Sequence, residues 1–279
     1  MEILIAQHCG FCEGVSRAYK IALEESQKGH PVYMLGNLVH NTQVVDKFKD
    51  LGAIIVNDLS QIPKNTDAIL IISAHGVAPE IYQQAEQLKL KVIDTTCPWV
   101  KKAQSIAKQF SDEGRQVFIV GDKGHKEVVG LIGWSGGKEK AEVIEDIEDI
   151  KGTNKKIGIL AQTTQAEEDF SKIVTEIKKI AKDVKAENTI CGATTKRQQA
   201  AVELANKVEL MLVIGDKMSA NTKRLTELCS KVGTETHQIE TANDLDPTWL
   251  KEKEKIGITA GASTPEWVVD AVIARLQAL

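Results

Sequence analysis

Three widely separated cysteines, Cys12, Cys97 and Cys191, each follow a short apolar run (2–6, 90–94 and 184–190). Behind each comes a small or helix-starting residue: Glu13-Gly14, Pro98 or Gly192. Their spacing is nearly even and far too long for a zinc finger. Three thiolates brought to a common centre leave a fourth coordination position free, as in an iron–sulfur cluster with one iron unanchored by protein. A three-cysteine zinc site and three buried structural thiols are the competing readings. Cys9 makes a CxxC with Cys12, a pattern shared by redox and metal motifs, but no matching pair occurs elsewhere. Cys229 lies in a helical stretch, 223–231, and reads as packing.

Histidines and hydroxyls follow other apolar runs. His40, His75 and His125 lie among small polar residues, at what read as three equivalent positions, and suit anion binding or proton shuttling. Gly-rich turns at helix starts add backbone donors for phosphate oxygens. Ser219, Asn221 and Ser263 are neutral donors, N-caps at least and phosphate ligands at most. Glu127, on the same turn as His125, becomes a proton donor if burial raises its pKa. Thr163 and Thr164 stand where a hydroxyl relays that proton or meets substrate. Trp99, Trp134, Trp249 and Trp267 read as core anchors, and 251–255 as a solvated charge run.

These residues need a scaffold, and the chain spells one three times. Strand-like runs alternate with helical patterns, the signature of a mainly parallel α/β fold. After the cysteine-bearing runs come 31–35, 116–120 and 209–214, each ending at a glycine (Gly36, Gly121, Gly215). Runs 53–56, 141–144 and 236–239 follow, then 68–72, 156–160 and 255–259. The last class always ends in polar residues: Ser73-Ala74-His75-Gly76, Ala161-Gln162-Thr163-Thr164 and Gly261-Ala262-Ser263-Thr264. Four strand classes in triplicate predict three small αβ units. Because ligands of open α/β sheets bind at the carboxyl ends of strands, the expectation is a central cavity shared by the units.

Composition narrows the function classes. The 279 residues are 42% hydrophobic and 27% charged, ordinary for a globular chain. A net charge of −4 and 4% aromatics argue against nucleic acid or an anionic membrane as partner. No apolar stretch approaches the ~20 residues that span a bilayer. Five scattered cysteines, and an N-terminus that opens directly on a strand-like run, point to a reducing, cytoplasmic setting.

Taken together, the motifs resemble the LytB family of 4-hydroxy-3-methylbut-2-enyl diphosphate reductases. The stretches that carry the resemblance are Gly10-Phe11-Cys12-Glu13-Gly14-Val15, Gly36-Asn37-Leu38-Val39-His40-Asn41, Ser73-Ala74-His75-Gly76-Val77 and Asp94-Thr95-Thr96-Cys97-Pro98. Gly124-His125-Lys126-Glu127-Val128, Gln162-Thr163-Thr164, Cys191-Gly192-Ala193-Thr194-Thr195 and Asn221-Thr222-Lys223-Arg224-Leu225 complete them, in the family's order along nearly the whole chain. The resemblance implies a pseudo-threefold trefoil of αβ domains, 13–96, 97–191 and 192–279, the last completed by the N-terminal strand in 1–12. It implies a 4Fe–4S cluster on Cys12, Cys97 and Cys191. The allylic hydroxyl would leave as water after two electrons and two protons, giving isopentenyl and dimethylallyl diphosphates. His40, His75 and Ser263 would hold the diphosphate, with Ser219 and Asn221 beside them and Thr164 near substrate. His125 would serve both the diphosphate and the proton path, Glu127 would be the proton source, and Thr163 its neighbour.

Two departures stand out: Lys126 replaces the family's usual Pro between His and Glu, and Ala220 replaces the second of two serines before the Asn. Cys9 matches no family role. The chain shows no nicotinamide or flavin fingerprint, which fits an external one-electron donor, ferredoxin or flavodoxin. An iron–sulfur sensor and a zinc hydrolase are the rival functions. The sensor has no use for three histidines and an acid beside an open iron, and the hydrolase would hold zinc and be colourless.

Overall fold

The computed structural model describes residues 1–64, 66–150 and 155–279. The chain begins β1 (Glu2–Ile5), α1 (Glu13–Ser26), β2 (Val32–Leu35), α2 (Thr42–Asp50), β3 (Ile54–Val56), β4 (Ile69–Ile72), α3 (Pro79–Gln87), β5 (Lys91–Asp94). It continues α4 (Pro98–Asp112), β6 (Gln116–Val120), α5 (Lys126–Trp134), β7 (Ala141–Ile144), β8 (Ile157–Ala161), α6 (Glu167–Ile180), β9 (Val184–Glu187). The last stretch is α7 (Gly192–Ala205), β10 (Leu210–Ile214), α8 (Ala220–Lys231), β11 (Glu235–Ile239), β12 (Lys255–Ala260), α9 (Glu266–Gln277).

The described strands form three four-stranded sheets, ordered β3-β2-β4-β5, β7-β6-β8-β9 and β11-β10-β12-β1. Every pairing is parallel. The four strand classes read from the sequence therefore occupy the same four places in each sheet. The class ending at glycine and the class ending in polar residues are central. The cysteine-bearing class is an edge, and β1 takes that edge beside β12, with Glu2 opposite Lys255 and Ile5 opposite Ile258.

Burial explains why the classes look different in sequence. Central parallel strands are covered on both faces and read as continuous apolar runs. Accordingly β4, β8 and β10 are buried throughout, whereas the edges β5 and β9 are not. In the last sheet Leu210, Leu212 and Ile214 pack with Ile256, Ile258 and the α9 residues Val268, Val272 and Leu276. The alternate residues Met211 and Val213 face Ala201, Leu204 and Leu225 of α7 and α8, as the two-residue period of a strand requires. The middle sheet repeats this: Phe118 and Val120 meet α6, while Val117 and Ile119 meet Phe110 of α4 and Leu131 of α5.

By internal packing the described chain forms two compact units. The first comprises Met1–Ser16, His40–Val44 and Gly192–Leu279, with the sheet closed by β1; the second comprises Arg17–Val39 and Val45–Cys191, with the other two sheets. Within the second unit α5 reaches across to the neighbouring repeat, where the Trp134 indole N–H donates to Val77 O at 3.0 Å. Trp99 and Trp267 are each 40% exposed, contrary to the expectation of core anchors. Trp99 lies in the first turn of α4 beneath the Lys102 ammonium, 5.5 Å from its ring, and Trp267 stands edge-on to Phe11. No described helix is long and apolar enough to cross a membrane.

The loop after β4 turns at Gly76, whose φ of +70° disfavours any side chain. A Cβ there would lie 2.4 Å from Gln104 Nε2 and 2.9 Å from Thr96 Cγ2. Gly76→Ala is expected to lower stability by about 1–3 kcal/mol, read as a lower urea midpoint at constant slope. An unchanged midpoint would show that Gln104 and Thr96 give way without cost.

Candidate active site

Each of Cys12, Cys97 and Cys191 directly precedes a helix, α1, α4 and α7 respectively. Their backbone N–H groups repeat one contact: Cys12 donates to Ala262 O at 3.2 Å, Cys97 to Ala74 O at 3.0 Å and Cys191 to Thr163 O at 3.0 Å. Those three carbonyls lie in the polar loops after β12, β4 and β8. Each cysteine is thus fastened where an edge strand's connection meets the carboxyl end of a central strand. None of the three is in a disulfide, and all are partly accessible.

The remaining cysteines differ in kind. Cys229 is buried in α8 with its sulfur 3.8 Å from Ala201 O, and burial pushes its pKa up to about 12. Cys9 packs against the apolar cluster containing Ile256 and Val268. Burial raises its pKa to about 11, with Arg197 pulling the other way. Both environments favour the neutral thiol.

The loops after the glycine-ending strands form a second repeat. Gly36, Gly121 and Gly215 each donate N–H to the last residue of the neighbouring strand, Val56, Ile144 and Ile239, at 2.7, 3.1 and 2.8 Å. At the same offset past them stand His40, His125 and Ser219, and two residues later Thr42, Glu127 and Asn221. The three histidines are therefore not equivalent, as the sequence reading had them. His40 and His125 share a place with Ser219, while His75 shares one with Thr164 and Ser263, because it follows a different strand class.

His125 is the N-cap of α5, its Nδ1 accepting from Glu127 N at 3.2 Å. In the neutral ring that leaves the proton on Nε2. The His75 ring meets the His125 ring edge-on, centroids 5.4 Å apart. Ser219 is the N-cap of α8, accepting from Thr222 N at 3.3 Å, as its capping reading required. In the same unit Ser263 Oγ donates to His40 O at 2.8 Å and lies 3.4 Å from Ser219 Oγ. Asn221 is 4% exposed, and neither its Oδ1 nor its Nδ2 has a hydrogen-bond partner among the described residues. An unsatisfied buried amide is costly, and it is suited to a polar ligand.

Glu127 is 2% exposed. Its Oε1 accepts from Thr163 N at 2.7 Å and its Oε2 from Thr163 Oγ1 at 2.9 Å. Since Thr163 O receives the Cys191 N–H, one residue, Thr163, joins the buried acid to the backbone of a cysteine. Burial raises the Glu127 pKa to about 7, Asp122 adds to the rise, and the two Thr163 hydrogen bonds oppose it. At neutral pH the carboxyl is poised to give up a proton, and the Thr163 hydroxyl both accepts and donates.

A raised acid contributes stability that is fully present below about 4.5 and is lost as pH rises through about 7. The protonated carboxyl disappears over the same upper range; with Glu127 as proton donor, turnover is expected to fall about tenfold per unit above that pKa. Thr163→Val removes a hydrogen bond that stabilises the carboxylate. The alkaline limb should then move to higher pH, and an unmoved limb would detach it from Glu127.

Two buried polar residues had no role in the sequence reading. Gln162 accepts from Asp122 N at 2.8 Å and donates to Thr164 Oγ1 at 2.9 Å, tying the His125 loop to the Thr163–Thr164 loop. Arg197, 2% exposed in α7, donates to Ala260 O at 2.8 Å where β12 ends. The available signal for Arg197 was a charged residue at a helix position that amphipathic spacing assigns to the core.

Fold and site define a triplicated parallel α/β protein with one cysteine per repeat directly preceding a helix, and a buried acid joined by hydrogen bonds to the backbone of one of them. The chain belongs to the LytB protein family, whose sequence pattern matches residues 3–277. It is 42% identical over 277 residues to a 4-hydroxy-3-methylbut-2-enyl diphosphate reductase of Geobacter metallireducens (strain ATCC 53774 / DSM 7210 / GS-15), covering 99% of this chain and 97% of that protein. It is 43% identical over 283 residues to the protein of that name from Aquifex aeolicus (strain VF5), covering 99% and 96%. Among solved structures, the E-1-hydroxy-2-methyl-but-2-enyl-4-diphosphate reductase of Plasmodium falciparum superposes with a TM-score of 0.92 at 32% identity, over 99% of this chain and 87% of that one. A structure described as (E)-4-hydroxy-3-methyl-but-2-enyl diphosphate reductase, the terminal enzyme of the non-mevalonate pathway, gives 0.69 at 41% identity over the whole of both chains.

Proposed function

We propose that this chain reduces (E)-4-hydroxy-3-methylbut-2-enyl diphosphate to isopentenyl and dimethylallyl diphosphates, the last step of the methylerythritol phosphate route to isoprenoids, in the cytoplasm. The C–O bond to the allylic hydroxyl breaks, the oxygen leaves as water, and two electrons and two protons balance the reaction. Family membership and full-length relatives support the reaction. The observation that carries the chemistry is the buried Glu127 carboxyl, joined through Thr163 to the Cys191 backbone.

Cys12, Cys97 and Cys191 would hold a 4Fe–4S cluster. The donor set fits it: three partly accessible cysteines outside any disulfide, each at a helix start and fastened by its own backbone N–H. When bound, such a cluster supplies one-electron steps and an open iron for the substrate hydroxyl. Glu127 holds the proton and Thr163 orients it and relays it. His75, His125 and His40 with Ser219, Asn221, Ser263 and Thr164 bind the diphosphate, placing the hydroxyl end toward the thiols. We assign the domains to 13–96, 97–191 and 192–279, with 1–12 completing the third.

Electrons come from ferredoxin or flavodoxin. In support, each helix opening behind a ligand cysteine carries an exposed cation in its second turn, Arg17, Lys102 and Lys196, which suits an acidic carrier. Anaerobic purification tests the reading. A brown protein with about four irons per chain is expected, together with consumption of the allylic diphosphate under a one-electron reductant. A colourless zinc protein would overturn it.

A further inference from the structure

The first residue of α5, Lys126, is half-buried between His125 and Glu127. Its ammonium lies over Gly36 at the end of β2, where the backbone is left-handed with φ +68°. A Cβ on Gly36 would come within 2.1 Å of Lys126 Nζ, so only glycine leaves the ammonium this place. Among the described residues no carboxylate pairs with that ammonium, and burial alone draws its pKa below the ordinary lysine range. Removing a cation from water without a counter-charge is costly, so the arrangement calls for an anion.

The surroundings state where the anion would lie. Strands β2 and β4 are neighbours, Val32 facing Ile69 and Met34 facing Ile71. The start of α5 covers the carboxyl ends of both: Lys126 over Gly36 after β2, and His125 against His75 after β4. Two imidazoles, an ammonium and the amides of a helix start thus share one strand-end region. The nearby carboxyl, Glu127, is engaged by Thr163.

We propose that Lys126 is a further diphosphate-positioning residue, whose ammonium contacts the anionic end of the substrate beside His75 and His125. The inference rests on the proposed reductase reading and adds to it a charge that the family's usual proline at this position lacks. The step is electrostatic only; no bond is made or broken by Lys126.

Calorimetric titration of inorganic pyrophosphate into the anaerobically purified, cluster-loaded protein tests it. Lys126→Met keeps the aliphatic stem over Gly36 and removes the charge. Its pyrophosphate affinity should fall about tenfold or more, with a shallower dependence on salt, since charge-assisted contacts are the strong ones and are screened by ions. Lys126→Arg should restore most of the loss. In turnover the methionine variant should raise KM about tenfold and change kcat less than twofold, the pattern of lost uniform binding. If Lys126→Met titrates like the unaltered protein while His75→Ala loses binding, Lys126 is packing and the diphosphate reading stands. If the unaltered protein binds no pyrophosphate, the diphosphate reading and this inference fall together.

Discussion

Glu127→Gln is expected to lower turnover by about 10²–10⁴-fold, the range general acid catalysis contributes, while iron content and pyrophosphate affinity stay unchanged. Glutamine keeps the shape of the side chain and an oxygen to accept from Thr163 N, so the loop joining Thr163 to Cys191 is retained. What it loses is the transferable proton. An amide cannot supply one at neutral pH, whereas the native carboxyl, raised to about 7 by burial, is near its midpoint there. The variant should also lose the decline of rate above that pKa. Undiminished turnover in Glu127→Gln would remove this residue as proton donor and leave it as a buried brace of the Thr163 loop.

The second large effect separates the thiols. Cys12→Ser, Cys97→Ser and Cys191→Ser should each strip most of the iron and reduce turnover to background. That loss exceeds the ~10–100-fold typical when a supporting group around a metal is removed. Cys9→Ser should keep its full iron. The distinction rests on environment: the three ligand candidates sit at helix starts with fastened backbones. The Cys9 thiol instead packs on an apolar cluster, its pKa pushed up to about 11. Iron and sulfide analysis of the four anaerobically prepared variants decides it. Retention of iron in Cys12→Ser with loss in Cys9→Ser would show that the other thiol of the CxxC is the ligand.

Much of the fold was legible because burial writes itself into residue type. Strands such as Ile69–Ile72 and Leu210–Ile214 are covered on both faces, so their apolar runs are unbroken and the repeat is visible. The edges were harder: β5 and β9 carry lysine and acid, and were found through the cysteines that follow them. The tryptophans misled, since an indole reads as core by its area alone. Trp99 and Trp267 instead lie partly in solvent against Lys102 and Phe11. Equating His75 with His40 and His125 failed for a related reason, because residue type was matched where strand class had to be.

The sequence by itself determined the inventory: three thiols, their even spacing, the strand classes and the loops that carry polar residues. These are properties of hydrophobic period and local turn chemistry, which neighbouring residues encode. Only the tertiary structure decided what those groups experience. The placement of β1 beside β12, the hydrogen bonds from Thr163 to Glu127 and the ammonium of Lys126 over Gly36 all join residues distant in the chain, and the same packing buries the Asn221 amide unsatisfied. Burial and proximity set a carboxyl's pKa or leave an amide without a partner, and both are created by packing rather than by neighbours in sequence.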